Sequence, residues 1–103
     1  MSFAPMQRQV DEWIHEHTQG YFQPLQMIAR MTEELGEVAR AASYRFGEKK
    51  PKPGEEAGDI ADELCDLIFV SICLANASGI DLDRAWEGLI TKLYQRDVNR
   101  WKP

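Results

Sequence analysis

The 103-residue sequence is short of several things, and each shortage excludes something. Cysteine occurs only at Cys65 and Cys73. If both lie on one helix, their offset separates them by about 12 Å along its axis, beyond disulfide reach. No CxxC or Cys/His cluster offers a zinc site, and a reduced compartment is expected. Basic residues are the minority, 12 Lys and Arg against 17 Asp and Glu, for a net charge of −5. A nucleic-acid-coating surface is normally net basic, so no nucleic-acid polymer is expected as a partner. The longest apolar run, Leu67 to Ala75, is interrupted by Ser71 and is too short to span a bilayer. The first thirteen residues lack the apolar core of a secretory signal. No membrane partner and a cytoplasmic location follow as expectations. Alternating strand patterns, repeats and linkers are also missing, so residues 1–103 read as a single domain. With 44% hydrophobic and 28% charged residues, that domain has ordinary globular composition.

Proline is confined to positions 5, 24, 51, 53 and 103, which leaves two long stretches free for helix. A first helix is expected from about Pro5 to Thr18, with Val10, Trp13, Ile14 and His17 as its inward stripe. A second starts at Pro24, carries Ile28, Met31, Leu35, Val38 and Ala42 at helical spacing, and ends near Phe46-Gly47. The charged, proline-rich stretch from Glu48 to Gly54 is a loop. A third helix is expected from Glu55 to Ala77, turning inward Ile60, Leu64, Leu67, Ile68, Ile72 and Ala75, with Gly79 as its stop. Asp81 caps a fourth, which runs through Trp86, Leu89, Ile90 and Leu93. The fold class is all-α, a four-helix bundle.

Four acids stand in places where solvated charges do not belong. At 100° per residue, Met27, Val38, Met31 and Ala41 all fall within about 60° of Glu34, which therefore lies inside the apolar sector of its helix. Glu37 lies about 60° to one side. Glu63 holds the same position on the third helix, within about 40° of Leu74, Leu67 and Val70, with Asp66 beside it and Asp59 on the same stripe. Two like charges 4 Å apart repel by about 1 kcal/mol in water and about 4 kcal/mol at an effective dielectric of 20. Protonation, salt bridges to Arg30, Arg40 or Lys92, or a hard divalent cation could relieve this. Mg²⁺ and Mn²⁺ favour oxygen ligands, and two i, i+3 pairs on packed helices can converge on ions. A di-iron bundle needs Glu-x-x-His motifs, whereas both motifs here are acid-x-x-acid, which favours magnesium over iron. Angular placement leaves metal binding and a salt-bridged structural face as alternatives.

Glu33-Glu34-Leu-Gly-Glu37-Val, followed by Glu63-Leu-Cys-Asp66-Leu-Ile-Phe, resembles the ExxE…ExxD signature of the MazG-like all-α nucleoside triphosphate pyrophosphohydrolases. Gly20-Tyr-Phe-Gln-Pro-Leu25, Ile80-Asp-Leu-Asp-Arg-Ala85 and Lys92-Leu-Tyr-Gln-Arg96 through Trp101 extend the likeness to small single-domain members. The resemblance implies Mg²⁺-dependent (or Mn²⁺-dependent) hydrolysis of a nucleoside triphosphate to monophosphate and pyrophosphate, serving nucleotide-pool housecleaning. It makes Glu34, Glu37, Glu63 and Asp66 the metal ligands. Glu33, about 40° from Glu37 on the helix, is the candidate base for the attacking water.

Lys92, Arg96 and Arg100 form one stripe if the C-terminal segment stays helical, and the resemblance assigns Lys92 and Arg96 to substrate phosphates and Trp13 to the base. Family members assemble as dimers or tetramers, and a chain this short has little capacity to enclose both a polar site and its own core, so a homodimer or homotetramer is expected. Two other readings stand beside this one. Phosphoribosyl-ATP pyrophosphohydrolase shares fold and chemistry but usually carries Tyr-His after the second motif, where this chain has Leu67-Ile68. A non-catalytic helical interaction or regulatory module would use the acids as a structural face.

Overall fold

A computed structural model describes residues 2–96. Its four helices are α1 (Ala4–His17), α2 (Pro24–Phe46), α3 (Ile60–Ala77) and α4 (Leu82–Gln95), with no strand among the described residues. Local chemistry explains most of their ends. Pro5 and Pro24 occupy first turns, where a missing amide hydrogen costs nothing. The Gln23 amide donates to Gln26 Oε1 at 3.1 Å, closing the start of α2. Asp81 caps α4 by accepting from the amides of Asp83 and Arg84. Gly79, at φ +68°, takes the left-handed conformation that stops α3 and lets the Ile80 amide donate back to the Ala75 carbonyl at 2.9 Å.

The third helix starts later than its sequence pattern suggests, at Ile60 rather than Glu55. Glu55 is committed to a turn, its amide donating to the Lys52 carbonyl at 2.9 Å while its carboxylate accepts from the Lys52 amide. Gly58, at φ +78°, is incompatible with helix. Asp59 is the N-cap, accepting from the Ala61 amide at 2.8 Å. Its carboxylate serves its own helix and does not join the acidic stripe.

The core lies where α1 and α2 pack on α3: Val10, Ile14, Met27, Val70, Ile72 and Cys73, flanked by Tyr21, Met31, Leu74 and Leu82. Met27, 2% exposed, and Ala41 are the buried residues of α2, whereas Ile28 and Leu35 are exposed. Trp13 and His17 on α1, and Leu64 and Ile68 on α3, are likewise exposed. All four apolar residues of the α4 stripe, Trp86, Leu89, Ile90 and Leu93, face outward. Period alone identifies an apolar face, and among the described residues little packs against this one. The radius of gyration, 16.9 Å, exceeds the roughly 13 Å of a self-contained domain of this length. Cys65 is exposed and Cys73 buried. No single helix among the described residues is long and apolar enough to cross a membrane.

Two polar clasps join the start of α1 to the α3–α4 junction. Asp83 on α4 accepts from the Ser2 hydroxyl and from the amides of Phe3 and Ala4, capping α1 from a neighbouring helix, while Phe3 packs against Trp86. These bonds hold the Asp83 carboxyl below its usual range, the Phe3 amide foremost. Gln7 donates to Asn76 Oδ1 and to the Ile80 carbonyl, both at 2.9 Å, and accepts from the Leu82 amide. Asn76 donates in turn to the Gln7 carbonyl and to the Tyr21 hydroxyl, which itself donates to Asp11 at 2.6 Å.

Candidate functional site

Packing α2 on α3 brings Glu34, Glu63 and Asp66 together, with one oxygen from each lying within 4.8 Å of the others. Glu34 is the most enclosed acid on α2, its side chain 15% exposed against 50% for Glu37. Desolvation, then the charges of Asp66, Glu37, Glu34 and Asp62, push the Glu63 carboxyl upward. Three mutually repelling oxygen donors on two rigid helices suit a hard divalent cation, which would relieve the strain on Glu63. Glu37 stands outside this trio. It shares a polar cavity of about 140 Å³ with Glu63, Arg40 and the 56–58 segment. Of the three cations considered from sequence, Arg30 reaches Glu34 at 3.5 Å and Arg40 reaches Glu37 at 3.8 Å. Lys92 makes no ion pair with these acids among the described residues.

On the N-terminal side of Glu34 the surface changes character. An apolar cavity of about 290 Å³ is lined by Trp13, Tyr21, Met27, Arg30, Phe69 and Val70, among others. Trp13 meets Phe69 edge-on with ring centroids 6.0 Å apart. Arg30 belongs to both regions, lining the cavity and pairing with Glu34. A flat apolar group can enter between such aromatic walls, while an anionic extension would need a cation held by the carboxylates to lie beside them. Cys73 also borders the cavity, but burial pushes its thiol up, away from the nucleophilic thiolate.

Trp13 lines the apolar cavity, and Glu34, Glu63 and Asp66 form a trio with Glu37 alongside. Glu33 is exposed on α2. Lys92 is exposed on α4, and Arg96 is exposed just past its end. Arg100 lies outside the described residues. Sequence reasoning missed Phe69 as a wall of the apolar cavity and Gly58 as a neighbour of Glu63. Phe69 stands three residues after Asp66, a spacing that places it on the adjoining face. Nothing in the 55–59 stretch announces that it crosses beside the acids.

Residues 22–101 match the profile of the MazG nucleotide pyrophosphohydrolase domain. The chain belongs to the MazG family. YpjD, an uncharacterised protein of Bacillus subtilis, is 44% identical to this MazG chain over 96 residues, spanning 93% of it and 86% of the relative. The YpjD crystal structure, described as that of a candidate pyrophosphatase, superposes with a TM-score of 0.80 at 40% identity, covering 94% of this chain and 97% of the other. A Bacillus-conserved MazG protein, described as a nucleotide pyrophosphohydrolase, superposes at 0.77 with 41% identity and 94% coverage of each chain. The all-α MazG architecture and a hydrolase of nucleotide pyrophosphate bonds are therefore assigned to this chain.

Proposed function

We propose that this MazG domain cleaves a nucleoside triphosphate between its α- and β-phosphates, yielding monophosphate and pyrophosphate, with Mg²⁺ (Mn²⁺ as a substitute) held by Glu34, Glu37, Glu63 and Asp66. The observation that carries this reading is the convergence of three carboxylates beside an aromatic-walled apolar cavity. The cation, when bound, neutralises the polyphosphate and lowers the pKa of water. The side chains do the rest. Trp13 and Phe69 receive the base, and Arg30 holds Glu34 in place at the junction. Glu33, in reach of water on the open side of α2, orients the attacking molecule and accepts its proton. Positioning and charge stabilisation carry most of such a transfer, so no nucleophilic side chain is required.

Lys92 and Arg96 complete the phosphate site by assembly, since α4 presents an apolar face that one chain leaves open. A homodimer or homotetramer covers that face, and the cytoplasmic nucleotide pool is the setting. The test is incubation of the protein with a panel of nucleotides and Mg²⁺, followed by identification of the phosphate product. Monophosphate and pyrophosphate in equal amounts, abolished by chelation, are expected. Stepwise orthophosphate release or no turnover across the panel would overturn the reading.

A further inference from the structure

The groove between α2 and α3 has a direction. Along α2, Met27 and Arg30 border the apolar cavity, Glu34 belongs to the carboxylate trio, and Glu37 and Arg40 border the polar cavity. Antiparallel to it, the chain runs from Gly58 just before α3 and Glu63 at the polar end through Asp66 to Phe69 and Val70 at the aromatic end. Arg30 and Arg40, ten residues apart, are separated by about 15 Å along the helix axis. A nucleotide has the same order, a flat apolar base at one end and its densest negative charge at the other.

Arg40 is held at the far end by weak ties. Its guanidinium lies 3.8 Å from Glu37 and 3.9 Å from Glu55, both about half exposed, and donates to the Glu56 carbonyl at 3.3 Å. It also lies over the Tyr44 ring, 6.0 Å from the centroid. Solvent-exposed ion pairs of this kind are easily exchanged. The planar guanidinium fork matches phosphate oxygens better than it matches either monodentate carboxylate contact.

We propose that Arg40 grips the terminal phosphates of the substrate, and hence the departing pyrophosphate, giving up Glu55 to do so. The assignment rests on the hydrolytic reading above and adds the orientation in which substrate lies: base toward Trp13 and Phe69, pyrophosphate toward Arg40 and the 55–58 segment.

Calorimetric binding of inorganic pyrophosphate and of a nucleoside monophosphate, each with Mg²⁺, to the assembled protein tests it. R40Q should weaken pyrophosphate at least tenfold and leave monophosphate within about twofold. R40K, which keeps the charge but loses the fork, should fall between wild type and R40Q. E55Q, which frees the guanidinium, should tighten pyrophosphate severalfold. Equal losses for both ligands in R40Q, or no loss for either, would overturn the proposal and leave Arg40 as a tether of the 55–58 segment. Failure of the hydrolytic reading shows separately, as wild-type protein that yields no pyrophosphate from any nucleotide, and the binding comparison still decides the role of Arg40.

Discussion

Glu63 concentrates the electrostatic tension of the molecule, flanked as it is by three acids of the groove and by Asp62. Replacing it with glutamine removes a repelling charge but also a metal ligand. Glu63→Gln should therefore melt higher than wild type in chelator, lose the stabilisation that Mg²⁺ gives wild type, and lose metal-dependent turnover by more than the 10–100-fold typical of perturbed metal surroundings. Thermal melts with and without Mg²⁺ check the first two effects; a variant that still gains stability from Mg²⁺ would remove Glu63 from the ligand set. Tyr21 is shifted in the same direction by a different set of neighbours. Burial and its bond to Asp11 push the phenol up to about 12 from the ordinary 10. Because the folded protein retains that proton longer than the unfolded chain, the contribution is complete below about pH 10 and lost as pH rises toward 12. The stability gap between wild type and Tyr21→Phe should narrow over that window, and the phenolate absorbance step near pH 12 should vanish in the variant. A Tyr21 step at pH 10 would contradict the burial of its hydroxyl.

At the level of elements, the 55–59 segment is the part the sequence concealed. Charge and helix-compatible composition from Glu55 onward suggest continuous helix, and only the left-handed Gly58 and the capping Asp59 decide otherwise. A Cβ on Gly58 would sit 3.6 Å from Ala41 Cβ and from Glu63 Oε1, ordinary contact distances, so the cost of Gly58→Ala is its backbone angle. That cost is about 1–2 kcal/mol, which should lower the melting temperature by several degrees in a domain of this size. An unchanged melting temperature would mean that this turn is not formed in solution. The carboxylate pairs, by contrast, were legible because their i, i+3 spacing inside an apolar sector is a local property. Helix starts at Pro24 and Asp81 were legible for the same reason. Which residues close a cavity across two helices, as Phe69 does opposite Trp13, depends on packing that no single-helix projection contains.

For the whole molecule, the spacing of apolar residues along α4 marks an apolar face that the described residues leave partly open. Trp86, Leu89, Ile90 and Leu93 lie outward on a body measuring 48 × 45 × 24 Å, broad and thin for its length. A charge in the middle of that face should prevent association. Leu89→Glu is expected to sediment as a smaller species than wild type at micromolar concentration and to melt lower, while the melting temperature of wild type rises with concentration. A wild-type protein of monomer mass at that concentration would refute assembly through α4.

The Gln7 clasp bears on the order in which the chain acquires its shape. Its bonds reach Asn76, Ile80 and Leu82, between 69 and 75 residues away in sequence. The α2–α3 pairing, by contrast, closes across a much shorter loop. Loop closure over a long separation is slow to nucleate. The acidic groove, made wholly by α2, α3 and the segment joining them, therefore rests on contacts closer in sequence than those that bring the helix carrying Trp13 to its aromatic end.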